Sequence, residues 1–413
     1  ANSCASSPQF ATTVAEPRTH RVMTNPSGRL FRAHSTLLAV AVGITLLWSF
    51  PFWFSAGKTG SFDWGFMENL WEVRWKSLRD YGQWPAHNPW QGGGLPESSF
   101  PGFLSVQAVA TLLLGAKAGL SAFILVYLMI GVVGFYKLGL RLFNGDGSAA
   151  LFLSVVGPAS PALALHLAAG HLVFVNVLAW PALLYFFLSS ERPTANGIKA
   201  GLLFGIVFND TPFYTTLYGT LILAVGFVVR FVTGPAATRR DLLRFTLCAA
   251  MAALPFILPV VVPLVGMATD YQRVANTPVS FSAGTLLAAY FRPVTELKVS
   301  LFVTSMKSNW GTWEMCAYLG FGATAFWFGG LFLHRARWFH AALFGVFVFT
   351  IGNAHWWEPM QWLMKVPPFS SQQSFNRLRL FVQLLFFLGA GWGLHQFLVN
   401  RTLSAVKKTL VLI

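Results

Sequence analysis

The chain has 413 residues, of which 55% are hydrophobic and only 10% are charged, whereas an ordinary soluble domain is about 25% charged. A net charge of +15 would suggest nucleic acid as the partner of a soluble protein, but basic residues in a membrane protein collect in its cytoplasmic loops. The composition therefore predicts an all-α polytopic membrane protein and argues against nucleic-acid binding.

Apolar segments of roughly 17 to 25 residues, long enough to cross a bilayer, recur along the chain. We predict about ten transmembrane helices, at residues 35–57, 120–141, 148–169, 172–190, 198–212, 214–232, 244–267, 316–334, 338–354 and 378–398. Residues 103–116 are apolar but short for a full crossing, so we expect a re-entrant or interfacial segment there.

The positive-inside rule orients these spans. With the N-terminus in the cytoplasm, most of the 29 Lys and Arg residues but few of the 14 acids fall on the cytoplasmic side. The predicted parts are a cytoplasmic basic arm, a transmembrane domain and a cytoplasmic tail, at residues 1–34, 35–398 and 399–413. The long outward loops, where chemistry or recognition is expected, are at about 58–119, 268–315 and 355–376. Scattered cysteines and the lack of a recognisable targeting peptide suggest a bacterial inner membrane.

The first outward loop begins with a predicted amphipathic helix. Trp64, Trp71 and Trp75 recur at helical spacing, and a polar stripe winds away from them, which suits a helix on a membrane surface. Asp63 stands at the start of this helix, at the membrane–water boundary. It is either a general base for an acceptor hydroxyl or amine, or simply the N-cap of the helix, and these two roles are compatible.

Two further polar residues lie at the predicted outer ends of spans. Asp210 is either functional, as intramembrane acids often are, or a structural cap at a helix break made by Pro212. His171 could bind a phosphate or shuttle a proton, or it is a hydrogen-bonded interfacial residue without a role in chemistry. Its neighbour His166 lies five residues earlier and lacks the four-residue spacing of a paired metal site. No metal-binding motif occurs, so no cofactor is predicted.

Outward basic residues would be needed to bind an anionic, lipid-linked substrate, because arginine and lysine bind phosphate. Several of these residues must instead contact lipid headgroups. Glu314 could form a structural salt bridge with one of the arginines. The substrate-binding candidates in the later loops are Arg273, Arg292, Lys298, Glu314 and Arg377.

Several short motifs resemble the GT-C superfamily of integral membrane glycosyltransferases, which use polyprenyl-phosphate-linked sugars and include protein mannosyltransferases and aminoarabinose transferases. The similarity covers an acid soon after the first span, Asp63, and a structured loop after it. The matching segments are QWPAHNPWQGGGLP, YKLGLRLF, AAGHLVFVNVLAWP, WEMCAYLG and RLRLFVQLLFFLGAGWGL. They are spread over most of the chain.

The resemblance implies a GT-C-like core that transfers a sugar with inversion from a polyprenyl-phosphate carrier to an acceptor on the outer, periplasmic face. Asp63 would be the base, Asp210 a second candidate acid, and outward basic residues would hold the departing phosphate. Two other functions stay open. One is a catalytically silent subunit whose tryptophan-rich first loop packs against protein partners, and the other is a transporter of lipid-linked substrate.

Overall fold

The structure is a computed structural model. It describes residues 28–54, 63–83, 87–88, 95–96, 102, 104–189, 191–211, 214–270, 290, 318–331, 343–345 and 378–400. The regular secondary structure of this part of the chain is helical apart from one short antiparallel pair of strands in the first loop, β1 (His87–Asn88) and β2 (Leu95–Pro96).

Six helical segments in the described residues are long and apolar enough to cross a membrane. They are Ala33–Phe54, Ala116–Leu142, Gly147–Ala168, Thr215–Thr233, Ala236–Val262 and Arg379–Val399. Each coincides with a span predicted from sequence, so a multi-pass membrane protein is supported. The helices that carry four of these spans are α1 (Gly28–Phe54), α4 (Ala116–Leu142), α9 (Tyr214–Thr233) and α10 (Ala236–Asp270).

The predicted number of about ten spans is not confirmed. Residues 172–190 contain a 3₁₀ helix (Leu172–Ala179) followed by α7 (Trp180–Leu188), which together are at the lower limit of length for a span and are not among the six. The predicted spans 198–212 and 316–334 correspond to α8 (Pro193–Asp210) and α11 (Phe321–Leu331), and neither is among the six. The last of the six lies in α12 (Arg379–Asn400). Most of the predicted span 338–354 lies outside the described residues.

The predicted span 148–169 consists of two helices, α5 (Gly147–Val156) and α6 (Pro161–Ala168). Pro161 begins α6 because proline lacks the backbone N–H that an interior helical position needs. The Ser160 hydroxyl caps the new helix by accepting from the Leu163 N–H at 3.3 Å.

The amphipathic helix predicted in the first loop is confirmed as α2 (Asp63–Tyr81). It is followed by α3 (Val106–Leu114), whose nine residues span only about 14 Å, too little to cross a bilayer. Gly115 joins α3 directly to α4, and the two helices pack together as a hairpin. The length of α3 is that expected of either a re-entrant or an interfacial segment.

Helix α4 contacts α1, α2, α3, α5 and α7 and so lies at the centre of the described bundle. The most extensive helix pair is α8 with α10, where two small residues allow the backbones to approach. A β-carbon at Gly197 would lie 2.5 Å from the Phe245 carbonyl oxygen, and one at Gly201 would lie 2.2 Å from the Ala249 carbonyl oxygen. Much of the apolar surface of α9 and α10 is exposed, as suits a lipid-facing position.

Polar contacts mark two ends of the bundle. At the first-loop end, defined by α2 and the start of α4, Lys117 pairs with Glu68 at 3.2 Å. At the basic end, defined by Arg141, Asp146 and Arg230, the Arg141 guanidinium pairs with Glu191. The two ends therefore hold different sets of charged groups, and the predicted candidate Asp63 lies at the first of them.

Candidate functional site

Helix α2 begins on the turn that follows α6, and two hydrogen bonds hold it there. The indole Nε1 of Trp64 donates to the Leu167 carbonyl at 2.7 Å, and the backbone N–H of Asp63 donates to the Ala169 carbonyl at 3.2 Å. Trp64 is buried, and its N–H has the partner that a buried indole needs. These contacts place Asp63, the first residue of α2, beside the end of α6.

Gly170 makes this close approach possible. Its φ of +80° lies in the left-handed region, and a β-carbon there would lie 2.2 Å from the backbone nitrogen of Trp64. Helix α6 ends in a Schellman motif, in which the His171 N–H bonds the His166 carbonyl at 2.9 Å and the Gly170 N–H bonds the Leu167 carbonyl at 3.1 Å. The motif turns the chain so that His171 lies next to His166.

Asp63 and His171 form a pair at this turn. The His171 Nε2 lies 3.1 Å from Oδ2 of Asp63, within hydrogen-bonding distance. The Asp63 side chain is 55% exposed and the His171 side chain 16% exposed. No other described residue donates a hydrogen bond to this carboxylate, and more than half of its side chain is exposed. Two residues predicted separately from sequence are thus brought together.

His166 extends the pair into the core. Its Nδ1 lies 3.1 Å from Nδ1 of His171, and its ring lies 4.4 Å from the ring of Phe174, measured between centroids. The side chain is fully buried. Sequence reasoning did not select His166, because it tested only the spacing of a metal site. A signal was present nonetheless: a glycine after a helix puts the residues before and after the turn in contact.

The carboxylate of Asp210 is fully buried and its oxygens already accept hydrogen bonds. The first two N–H groups of α3, from Val106 and Gln107, donate to it at 3.3 and 3.2 Å, and the Tyr127 hydroxyl donates as well. Asp210 therefore satisfies N–H groups that α3 itself cannot pair. These contacts favour the structural alternative, although the capped helix is α3 rather than one at the Pro212 break.

The other predicted substrate-binding residues lie outside the described residues. They are Arg273, Arg292, Lys298, Glu314 and Arg377. Within the described part of the chain, no cluster of three His, Cys, Asp or Glu side chains could hold a metal ion. The array that the structure does describe is Asp63, His171 and His166.

The array suits acid–base chemistry. An exposed carboxylate that accepts one hydrogen bond has a defined orientation and still presents a second oxygen to a proton donor. The N-terminus of α2 adds a favourable interaction with the negative charge of Asp63. A scan against protein-family models and a search of curated proteins both find no match to this chain.

Proposed function

We propose that the chain is a membrane glycosyltransferase with a GT-C-like core of about ten transmembrane helices, residing in the bacterial inner membrane with both termini in the cytoplasm. It moves a sugar from a polyprenyl-phosphate carrier to an acceptor on the periplasmic face. The observation that carries the proposal is the exposed Asp63 carboxylate, held by His171 at 3.1 Å at the start of α2. The motif resemblance supplies the reaction class.

In the proposed reaction, Asp63 accepts the proton of the acceptor hydroxyl or amine as that group attacks the anomeric carbon. The new bond forms as the bond from that carbon to the carrier phosphate oxygen breaks, so the sugar is transferred with inversion. The leaving group is the polyprenyl phosphate, which keeps the electron pair. Outward basic residues stabilise its charge, and the proposed ones are Arg273, Arg292, Lys298 and Arg377.

A catalytically silent subunit would be expected to show two structural features. It would need the tryptophans of the first loop on an outer surface, but among those that the structure describes Trp64 and Trp71 are buried and Trp75 is half-buried. It also fits an Asp63 buried in a salt bridge, whereas this side chain is more than half exposed. Both observations support the enzyme over the silent subunit.

The test compares wild type with Asp63→Asn in the full chain, purified in detergent and supplied with polyprenyl-phosphate-linked sugars extracted from bacterial membranes and a panel of acceptors. Asparagine has nearly the same shape but cannot accept the proton. We expect transfer to fall at least about 100-fold. Glu72→Gln is the matched control, because Glu72 is another carboxylate on α2, paired with Lys76 at 3.4 Å, and it should keep full activity.

Thermal unfolding of all three proteins shows whether the variants remain folded. Undiminished transfer by a folded Asp63→Asn variant would exclude Asp63 as the base. Absence of transfer by wild type over the whole panel, together with copurification of a fixed protein partner, would favour the silent subunit.

A further inference from the structure

We propose that His166 is a positioning residue: it donates its Nδ1 proton to His171 and so fixes the His171 tautomer that holds Asp63. The proposal rests on the proposed function only for its catalytic consequence. Its structural basis is the pair of short contacts on either side of the His171 ring, 3.1 Å to His166 and 3.1 Å to Asp63.

Proton placement follows from the atoms that face one another. Two Nδ1 atoms at 3.1 Å can share only one proton, so one ring donates and the other accepts. The Nε2 of His171 faces a carboxylate, which accepts but does not donate when ionised, so the His171 proton lies on Nε2. In the neutral form of His171 that the proposal assigns, Nδ1 carries no proton and accepts. The donor in the contact between the rings is therefore His166.

The surroundings of His166 hold its ring in place. The residue lies on α6 with neighbours Leu163 and Leu167, which are buried, and its ring packs against Phe174. Its carbonyl accepts the N–H of His171 in the Schellman motif, so the backbones of the two histidines are also tied. A buried ring with fixed neighbours keeps its Nδ1 directed at His171.

The tautomer matters for the chemistry of Asp63. A neutral His171 orients Asp63 through one hydrogen bond without neutralising its charge. His166 thus acts through His171, two contacts away from the reacting atoms, and it touches neither the acceptor nor the sugar.

The test is a tautomer measurement on the full chain labelled with ¹⁵N-histidine in detergent micelles. Long-range ¹⁵N–¹H correlations distinguish the Nδ1–H and Nε2–H forms, and the His171 and His166 signals are assigned from the spectra of His171→Gln and His166→Asn. We expect Nε2–H on His171 and Nδ1–H on His166. The opposite assignment in wild type would overturn the proposal.

Two variants of His166 separate its hydrogen bond from its packing. His166→Leu removes the donor, and we expect His171 to lose its single tautomer and kcat for transfer to fall about tenfold with little change in KM. His166→Asn places an amide donor near the position of Nδ1 and should restore both the tautomer and most of kcat. An unchanged His171 tautomer in His166→Leu would exclude the positioning role.

The tautomer measurement and the transfer assay test separate claims, so one claim can fail while the other holds. If Asp63→Asn keeps its transfer activity, the base assignment fails while the tautomer result stands. If the tautomers are reversed but Asp63→Asn is inactive, the base assignment stands and the role of His166 fails.

Discussion

Two aspartate–histidine pairs lie among the described residues, one at each end of the bundle, and they differ in the number of hydrogen bonds that the carboxylate accepts. At the basic end, Asp146 bonds the His395 Nδ1 at 2.8 Å and caps α5 by accepting from the N–H groups of Ser148 and Ala149 at 2.9 and 3.2 Å. At the first-loop end, the one side-chain hydrogen bond that described residues provide to Asp63 comes from His171.

The carboxylate that accepts more hydrogen bonds is also the more buried of the two. The Asp146 side chain is 17% exposed, against 55% for Asp63. Partial burial alone would raise the pKa of Asp146, but the hydrogen bonds from His395, Ala149 and Ser148 outweigh it and leave the pKa below its ordinary value. The same two residue types therefore form a structural contact where both carboxylate oxygens accept hydrogen bonds, and a candidate reactive group where the described residues provide one hydrogen bond to an exposed carboxylate.

The glycines beside the two pairs give the largest expected difference in stability. Gly170 and Gly145 both have positive φ, of +80° and +86°, but only a β-carbon at Gly170 would meet another part of the chain. Gly170→Ala should cost about 3 kcal/mol of unfolding free energy, from left-handed strain and the clash with Trp64, whereas Gly145→Ala should cost about 1 kcal/mol.

Denaturant or thermal unfolding in detergent measures both glycine variants. The spectrum of His171 adds a local readout, because Gly170→Ala should separate α2 from the turn and weaken the hydrogen bond to Asp63. Equal costs at the two glycines would mean that α2 is not held against this turn.

The second-largest expected effect is a difference in stability between the alanine variants of Asp146 and Asp63. Asp146→Ala removes a helix cap and the partner of His395, so we expect a loss of about 2 kcal/mol. Asp63→Ala removes one exposed hydrogen bond and should cost less than about 1 kcal/mol, while it abolishes transfer. A larger stability loss at Asp63 than at Asp146 would reverse the comparison.

The lowered pKa of Asp146 also predicts how its contribution to stability changes with pH. Because the folded-state pKa of Asp146 is lowered, its stabilisation is complete above the unfolded-state value, about 4, and is lost as pH falls through the folded-state value. The difference in melting temperature between wild type and Asp146→Ala should therefore shrink from pH 7 to pH 3. A difference that grows in acid would contradict the direction of the pKa shift.

The sequence allowed local prediction better than prediction of contacts between distant segments. The spacing of Trp64 and Trp71 predicted α2 correctly because helical periodicity is a local property. Asp63 and His171 were each selected, but their pairing depends on how Gly170 lets α2 approach, which no local pattern contains. His166 was overlooked because its spacing was compared only with that of a metal site.

Tertiary contacts also decided the interpretation of Asp210. Its position at the end of α8 was visible from the sequence, but its partners come from α3 and α4, about one hundred residues earlier in the chain. Prediction of the number of spans from the sequence is limited by a different effect. The 3₁₀ segment Leu172–Ala179 is as apolar as a membrane helix, so hydropathy alone does not distinguish it from one.

The smallest expected effect concerns the ion pair that joins α2 to α4 at the first-loop end. Lys117 and Glu68 lie 3.2 Å apart, and the lysine side chain is 70% exposed, so solvent screens most of their attraction. Lys117→Gln should lower stability by less than about 1 kcal/mol and should leave transfer unchanged, because Trp64 and the Gly170 turn already hold α2. A double-mutant cycle with Glu68→Gln measures the coupling, which should vanish in 1 M salt. A coupling that survives high salt would mean that this pair is shielded from solvent. It would then stabilise the packing of α2 as strongly as the contacts of Asp146 stabilise the basic end.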